Sequence, residues 1–265
     1  MAWKSGYYRY RTEREEKIKK LFLLVISYIL VFSVGYIYAY QNITPLTQPE
    51  VRTPLPVSGN FTSSANILAV RNVDNAGVMG RVTVEIYPGK GRVLMDTNPF
   101  LEPDTQYSAE TAVAVAQDYT GMSLSDRDVI VSFEITGELL GGPSAGAAMT
   151  IATVGAIEQR QVRENMAITG TIENSGEIGL VGGLVEKAEA AANNGVKLFL
   201  VPKGSLILRY YEQVVERERI GPGFIIQRVR YVPKTLDLAN YTMTQWDMET
   251  KEVSTIDDVV TYMLE

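Results

Sequence analysis

Residues 21–40 carry no charged side chain, and the twenty residues before them hold seven lysines and arginines against three glutamates. Twenty helical residues span roughly 30 Å, the thickness of a bilayer's hydrocarbon core. Tyr28, Tyr36, Tyr38 and Tyr40 suit the interface beyond it. The chain is therefore read as a basic cytosolic stretch at 1–20, a transmembrane helix or signal anchor at 21–40, and everything after it outside the cell membrane. A cleaved signal peptide is the competing reading. Against it, the apolar run is long and no clean small-x-small site follows.

From 41 to 64 the composition shifts to Pro, Ser, Thr, Asn and Gln, and Pro45, Pro49, Pro54 and Pro56 oppose regular helix or central strand. This stretch reads as a linker, leaving 65–265 as one domain. A hydrophobic share of 46% is enough to give that domain a core. Asn42-Ile43-Thr44, Asn60-Phe61-Thr62 and Asn240-Tyr241-Thr242 fit the glycosylation acceptor pattern, which also recurs by chance. After residue 20 the chain has eighteen basic and twenty-eight acidic side chains, so nucleic acid is not an expected partner.

Histidine and cysteine are absent altogether. That excludes a Ser-His-Asp triad, thiol nucleophiles, disulfides and the common zinc sites, and no metal or cofactor is expected. Lysine or a carboxylate is left as the only side-chain base. Against this background Gly141-Gly142-Pro143-Ser144-Ala145-Gly146 places one hydroxyl at the entrance of a helix, 143–159, whose small and apolar residues cover nearly its whole circumference. Backbone amides around Gly142 and Ser144 could receive an oxyanion there. The plainer reading is a serine that caps a buried helix.

A second helix, 184–193, sets Leu184, Lys187, Ala188 and Ala191 at i, i+3, i+4 and i+7, so Lys187 falls on the apolar face. Burial lowers a lysine's pKa and frees it to accept a proton, whereas a lysine that snorkels to water keeps its charge. Strands are expected at 67–70, 80–87 and 92–95, the three read as a meander, and at 129–135, with a helix at 107–119. A hairpin is expected around Glu173-Asn174-Ser175-Gly176, followed by a strand at 196–201, a helix at 205–219, a strand at 224–232 and a closing helix at 254–264. The class is α+β.

These residues resemble the proteolytic domain of Lon-type Ser-Lys proteases, in particular the membrane-anchored archaeal branch that lacks an ATPase module. The resemblance rests on Gly142-Pro143-Ser144-Ala145-Gly146, on Gly182-Gly183-Leu184-Val185-Glu186-Lys187-Ala188-Glu189-Ala190-Ala191 and on Met166-Ala167-Ile168-Thr169-Gly170. It covers about 65–205. It implies the ribosomal protein S5 domain 2-like fold, Ser144 as nucleophile, Lys187 as general base, Thr169 as a hydroxyl holding the lysine, and an assembly that can be a hexameric ring. Many such sites have an acidic residue where this chain has Gly141, and Glu138 is the substitute the sequence offers.

With no G-x-x-x-x-G-K-[ST] in the sequence, the expected activity is an ATP-independent serine endopeptidase acting on unfolded or flexible polypeptides. A substrate strand would add to a sheet edge near 129–135. Two other functions fit less well. A GHMP-type small-molecule kinase would use the Gly/Ser loop for phosphate, and a catalytically silent membrane-tethered binding module would keep only the fold.

Overall fold

A helix without a polar face must be wrapped on all sides, and two layers of sheet and helix do this for the helix that follows Ser144. The computed structural model describes residues 19–36, 38, 53–55, 61–96, 98, 100–136, 139–221 and 224–265. Residues 1–18, most of the 41–64 stretch with Asn42 and Asn60, and Glu138 lie outside them. The chain divides into two units, Met1–Val51 and Arg52–Glu265. In the first, helix α1 (Lys19–Tyr36) is long and apolar enough to cross a membrane, and none of it is buried.

The second unit begins earlier than the composition suggested. Leu55 and Phe61 are buried in its core, Thr53–Pro54 pairs with Met122–Ser123, and strand β1 (Thr62–Val70) starts inside the stretch read as linker. Strand β2 (Gly77–Pro88) runs antiparallel to β1, with Ala65 opposite Val82. Short β3 (Val93–Met95) is followed by helix α2 (Pro103–Thr120) and strand β4 (Arg127–Glu134). The sheet order is β1-β2-β4-β3, and β3 is parallel to β4. The meander expected here is thus corrected, because α2 carries the chain back before β4 pairs with β2.

Helix α3 (Gly146–Glu158) is buried from Gly146 to Ile157, and the Thr150 and Thr153 hydroxyls donate to their own helix at Gly146 O (2.8 Å) and Met149 O (2.7 Å). Up to Ile157 no side-chain polar group on it asks for water. A three-stranded parallel sheet follows, built from β5 (Met166–Ile168), β6 (Leu198–Pro202) and β7 (Glu249–Val253) in the order β7-β6-β5. Helix α4 (Leu184–Asn193) makes the crossover from β5 to β6 that parallel pairing requires. Ile151→Ala, at the fully buried centre of α3, is expected to cost about 2–5 kcal/mol. A urea midpoint unchanged from the parent would show that α3 is not the packing centre.

The helix expected at 205–219 is a strand. Ile207–Gly221 pairs antiparallel with Phe224–Asp237 in one long hairpin. Helix α5 (Leu238–Trp246) and β7 then lead to α6 (Ile256–Met263), which opens on a Thr255–Asp258 capping box rather than on Ser254. Asn240-Tyr241-Thr242 lies in α5, with Thr242 buried.

Candidate active site

Ser144 sits in a single 3₁₀ turn, Pro143–Ala145, that feeds directly into α3. The turn is entered through Gly142 at φ 88°, a left-handed backbone that favours glycine. It leaves through Gly146, where a Cβ would lie 2.9 Å from the backbone nitrogen of Ile172. Both glycines are therefore structural requirements for putting a serine at this corner.

Backbone and hydroxyl groups from three elements fix the turn. Gly170 N donates to Ser144 O (3.0 Å), and Ala147 N donates to Gly170 O (3.1 Å), which joins the turn to the residues after β5. From α2, the Thr105 hydroxyl donates to Gly142 O (3.3 Å) and the Ser108 hydroxyl to Pro143 O (3.4 Å). The Gly142 amide donates to Asp104 Oδ1 (3.3 Å). That amide, expected to face an oxyanion, already has a carboxylate partner. These α2 contacts link residues 35–38 positions apart and leave no mark in the sequence pattern.

Lys187 occupies the first turn and a half of α4 and is 4% exposed. Its Nζ donates to Thr169 Oγ1 (3.1 Å), and Thr169 Oγ1 in turn donates to Ser144 O (3.4 Å). Thr169 is itself completely buried and held by its N–H on Leu200 O (3.1 Å). Among the described residues no carboxylate is within ion-pair distance of Nζ. Desolvation therefore meets no ion pair to oppose it and brings the lysine from 10.5 to about 8.

Ser144 and Lys187 line one open cleft of about 1060 Å³, together with Glu102, Ile135, Gly183 and Glu186. The structure thus brings together Ser144, Lys187, Thr169 and Gly142. No hydrogen bond joins Ser144 Oγ to Lys187 Nζ, whose described partner is Thr169 Oγ1. The carboxylate found against Gly141 is that of Glu102, so close that a Cβ at 141 would collide with it. Nothing in the sequence marked Glu102.

The edge proposed for a substrate strand needs correction. At Val129–Val131 β4 lies between β2 and β3, so on the side of the cleft the described pairings leave Ser132–Glu134, next to the cleft residue Ile135, without a second neighbour.

Because Thr169 holds the Lys187 amine in place, Thr169→Val should lower kcat about tenfold. It should also move the acid limb of the pH profile to lower pH, since the lost acceptor favoured the charged amine. A pH–rate profile identical to that of the parent would remove Thr169 from the account.

Residues 106–206 match the family model for the Lon protease (S16) C-terminal proteolytic domain. An archaeal Lon protease of Archaeoglobus fulgidus is 31% identical over 137 residues, which is 50% of this chain and 22% of that protein. The archaeal Lon protease of Methanothermobacter thermautotrophicus is 27% identical over 166 residues, 60% of this chain and 25% of the relative. That of Pyrococcus abyssi is 36% identical over 92 residues, 35% and 9% respectively. The chain spans about a quarter or less of the length of these curated relatives. The matches support a Lon-type protease domain over the stretch that holds Ser144, Thr169 and Lys187.

Proposed function

We propose that this Lon-type protease domain is a serine endopeptidase in which Ser144 is the nucleophile and Lys187 its general base. The observation that carries the reading is a lysine 4% exposed, free of any described carboxylate, bonded to Thr169 and sharing a cleft with Ser144. A neutral Nζ takes the Ser144 proton as Oγ attacks the substrate carbonyl, giving a tetrahedral oxyanion. The Ser144 amide lies in the first positions of the 3₁₀ turn, where no i−3 carbonyl accepts from it, and can receive the negative charge; the Gly142 amide joins it once it leaves Asp104. The lysine ammonium then protonates the leaving amine, and water, deprotonated by the same lysine, releases the acyl group.

The substrates follow from the cleft's form. It is open, and β4 leaves only a short edge beside it, so an extended polypeptide can lie across Ser144 by main-chain hydrogen bonds. Such a site takes unfolded or flexible chains. The 265 residues hold no phosphate-binding P-loop, which fits hydrolysis without nucleotide. With α1 as a single membrane span and its basic flank in the cytosol, the domain works outside the cell membrane. A ring of six copies is the assembly that accords with the family resemblance.

The test is incubation of the full chain in detergent with an unfolded polypeptide and no nucleotide. Cleavage is expected, while a tightly folded protein of similar size resists. A folded chain that leaves the unfolded substrate intact, or cuts only when nucleotide is added, would overturn the reading.

A further inference from the structure

The family match ends at residue 206, and at Ile207 the chain leaves on the hairpin β-ribbon, Ile207–Gly221 paired with Phe224–Asp237. A two-stranded ribbon is at best marginally stable by itself in water. Its two faces are unlike each other, and the register fixes which residues share each one.

On one face Glu212, Glu216 and Glu218 meet Lys234, Arg230 and Arg228 in ion pairs at 3.5, 3.4 and 3.6 Å. Long paired side chains cover the half-buried Val214 and Val232 between them. The opposite face carries Tyr211, Val215, Val229 and Tyr231, exposed to 73, 46, 48 and 66%. Arg209 and Arg217 flank them, exposed and without an ion pair among the described residues. Along this face Gln213 and Gln227 are neutral, and the one acid, Asp237, is engaged at the ribbon's base as the cap of α5. Tyr210 and Ile226 are also exposed on the ion-paired face, to 49 and 42%, but its three bases are matched by three acids, whereas Arg209 and Arg217 on the other face meet no acid beyond the capping Asp237.

We propose that this second face rests on an anionic lipid surface. Tyrosines belong at the headgroup level, and an arginine near an anionic leaflet is drawn to its surface. From residue 21 on the chain has ten more acidic than basic side chains, so such a membrane repels most of the domain and the basic face orients what it anchors. Face-to-face pairing with a second copy would set Arg209 and Arg217 against the same arginines, with no acid to meet them. The unpaired edges of a two-stranded ribbon keep it among the headgroups, outside the hydrocarbon. The inference goes beyond the peptidase reading and shares with it only the anchoring by α1.

The chain has no cysteine, so a single introduced thiol is unique. Gln213→Cys on the apolar-basic face and the neighbouring Glu212→Cys on the ion-paired face are each labelled with a polarity-sensitive fluorophore. The full chain is then reconstituted in phosphatidylglycerol vesicles containing headgroup spin-labelled lipid. Quenching at 213 is expected to exceed that at 212 by about threefold or more, and to fall to the level of 212 when Arg209→Glu and Arg217→Glu are added.

Equal quenching on both faces in a chain that sediments with the vesicles overturns the proposal and leaves the anchor intact. A chain that does not sediment overturns both. Shielding at 213 that appears without lipid and grows with protein concentration gives the face to a second copy instead. None of these readouts uses hydrolysis, so they stand apart from the fate of the Ser144–Lys187 dyad.

Discussion

Ser144→Ala is expected to lower peptide hydrolysis by at least about a thousandfold while leaving the unfolding midpoint where it was. The two halves of that result have separate causes. Ser144 Oγ takes part in no hydrogen bond among the described residues, and what fixes the turn is its carbonyl, held by Gly170 N and Thr169 Oγ1. Alanine keeps that carbonyl and removes only the hydroxyl. Residual cleavage at the parent rate would place the nucleophile elsewhere. A fall in stability of several kcal/mol would mean that the serine is a structural cap after all, the plainer reading open from the sequence.

Lys187→Met should give an equally deep loss of activity together with a gain in stability at neutral pH. The folded lysine titrates at about 8 against an ordinary 10.5, because burial disfavours its charge. Between those two pH values the unfolded chain binds more protons than the folded one, so the group's contribution to stability rises with pH across that window. Below pH 8 the fold carries the full penalty of a buried ammonium, on the order of 3 kcal/mol. Methionine has similar volume and no charge, and Thr169 Oγ1 keeps its own bond to Ser144 O. An increase of about 1–3 kcal/mol at pH 7 is expected from urea unfolding, shrinking as the pH approaches 10. A destabilised variant at pH 7 would show that the lysine holds the fold together and is not kept there for its chemistry.

The site was far more legible than its surroundings. The sequence places helix α4 at its observed bounds, Leu184–Asn193, because the apolar spacing is regular and Gly183, at φ 68°, precedes its start. Gly142 and Gly146 bracket Ser144 closely enough that a helix entrance was the natural reading, although the first turn proved to be 3₁₀. What the sequence could not show was which distant groups hold that entrance. Asp104, Thr105 and Ser108 reach it from α2, and Glu102 fills the space beside Gly141, all through tertiary contacts with no periodic signature.

The hairpin failed for a different reason. Ile207, Leu208, Tyr211, Val214 and Val215 fall at i, i+1, i+4, i+7 and i+8, a spacing that an amphipathic helix would also show. A strand with apolar residues on both faces imitates it. Pairing with Phe224–Asp237 settled the conformation, and Pro233, harmful within a helix, is accommodated in that two-stranded ribbon. The short strands at the start of the domain were hidden by prolines, since Pro54 lies at the edge of a two-residue pairing where no donor is needed.

The most direct measurement on the dyad is the rate at which a peptidyl phosphonate modifies Ser144, followed by mass spectrometry of the labelled peptide across pH 6–10. The account predicts one labelled residue, Ser144, at a rate that rises with pH around a midpoint near 8 and collapses in Lys187→Met. Label on another residue, or a Ser144 rate that is independent of pH and unchanged in Lys187→Met, would contradict it.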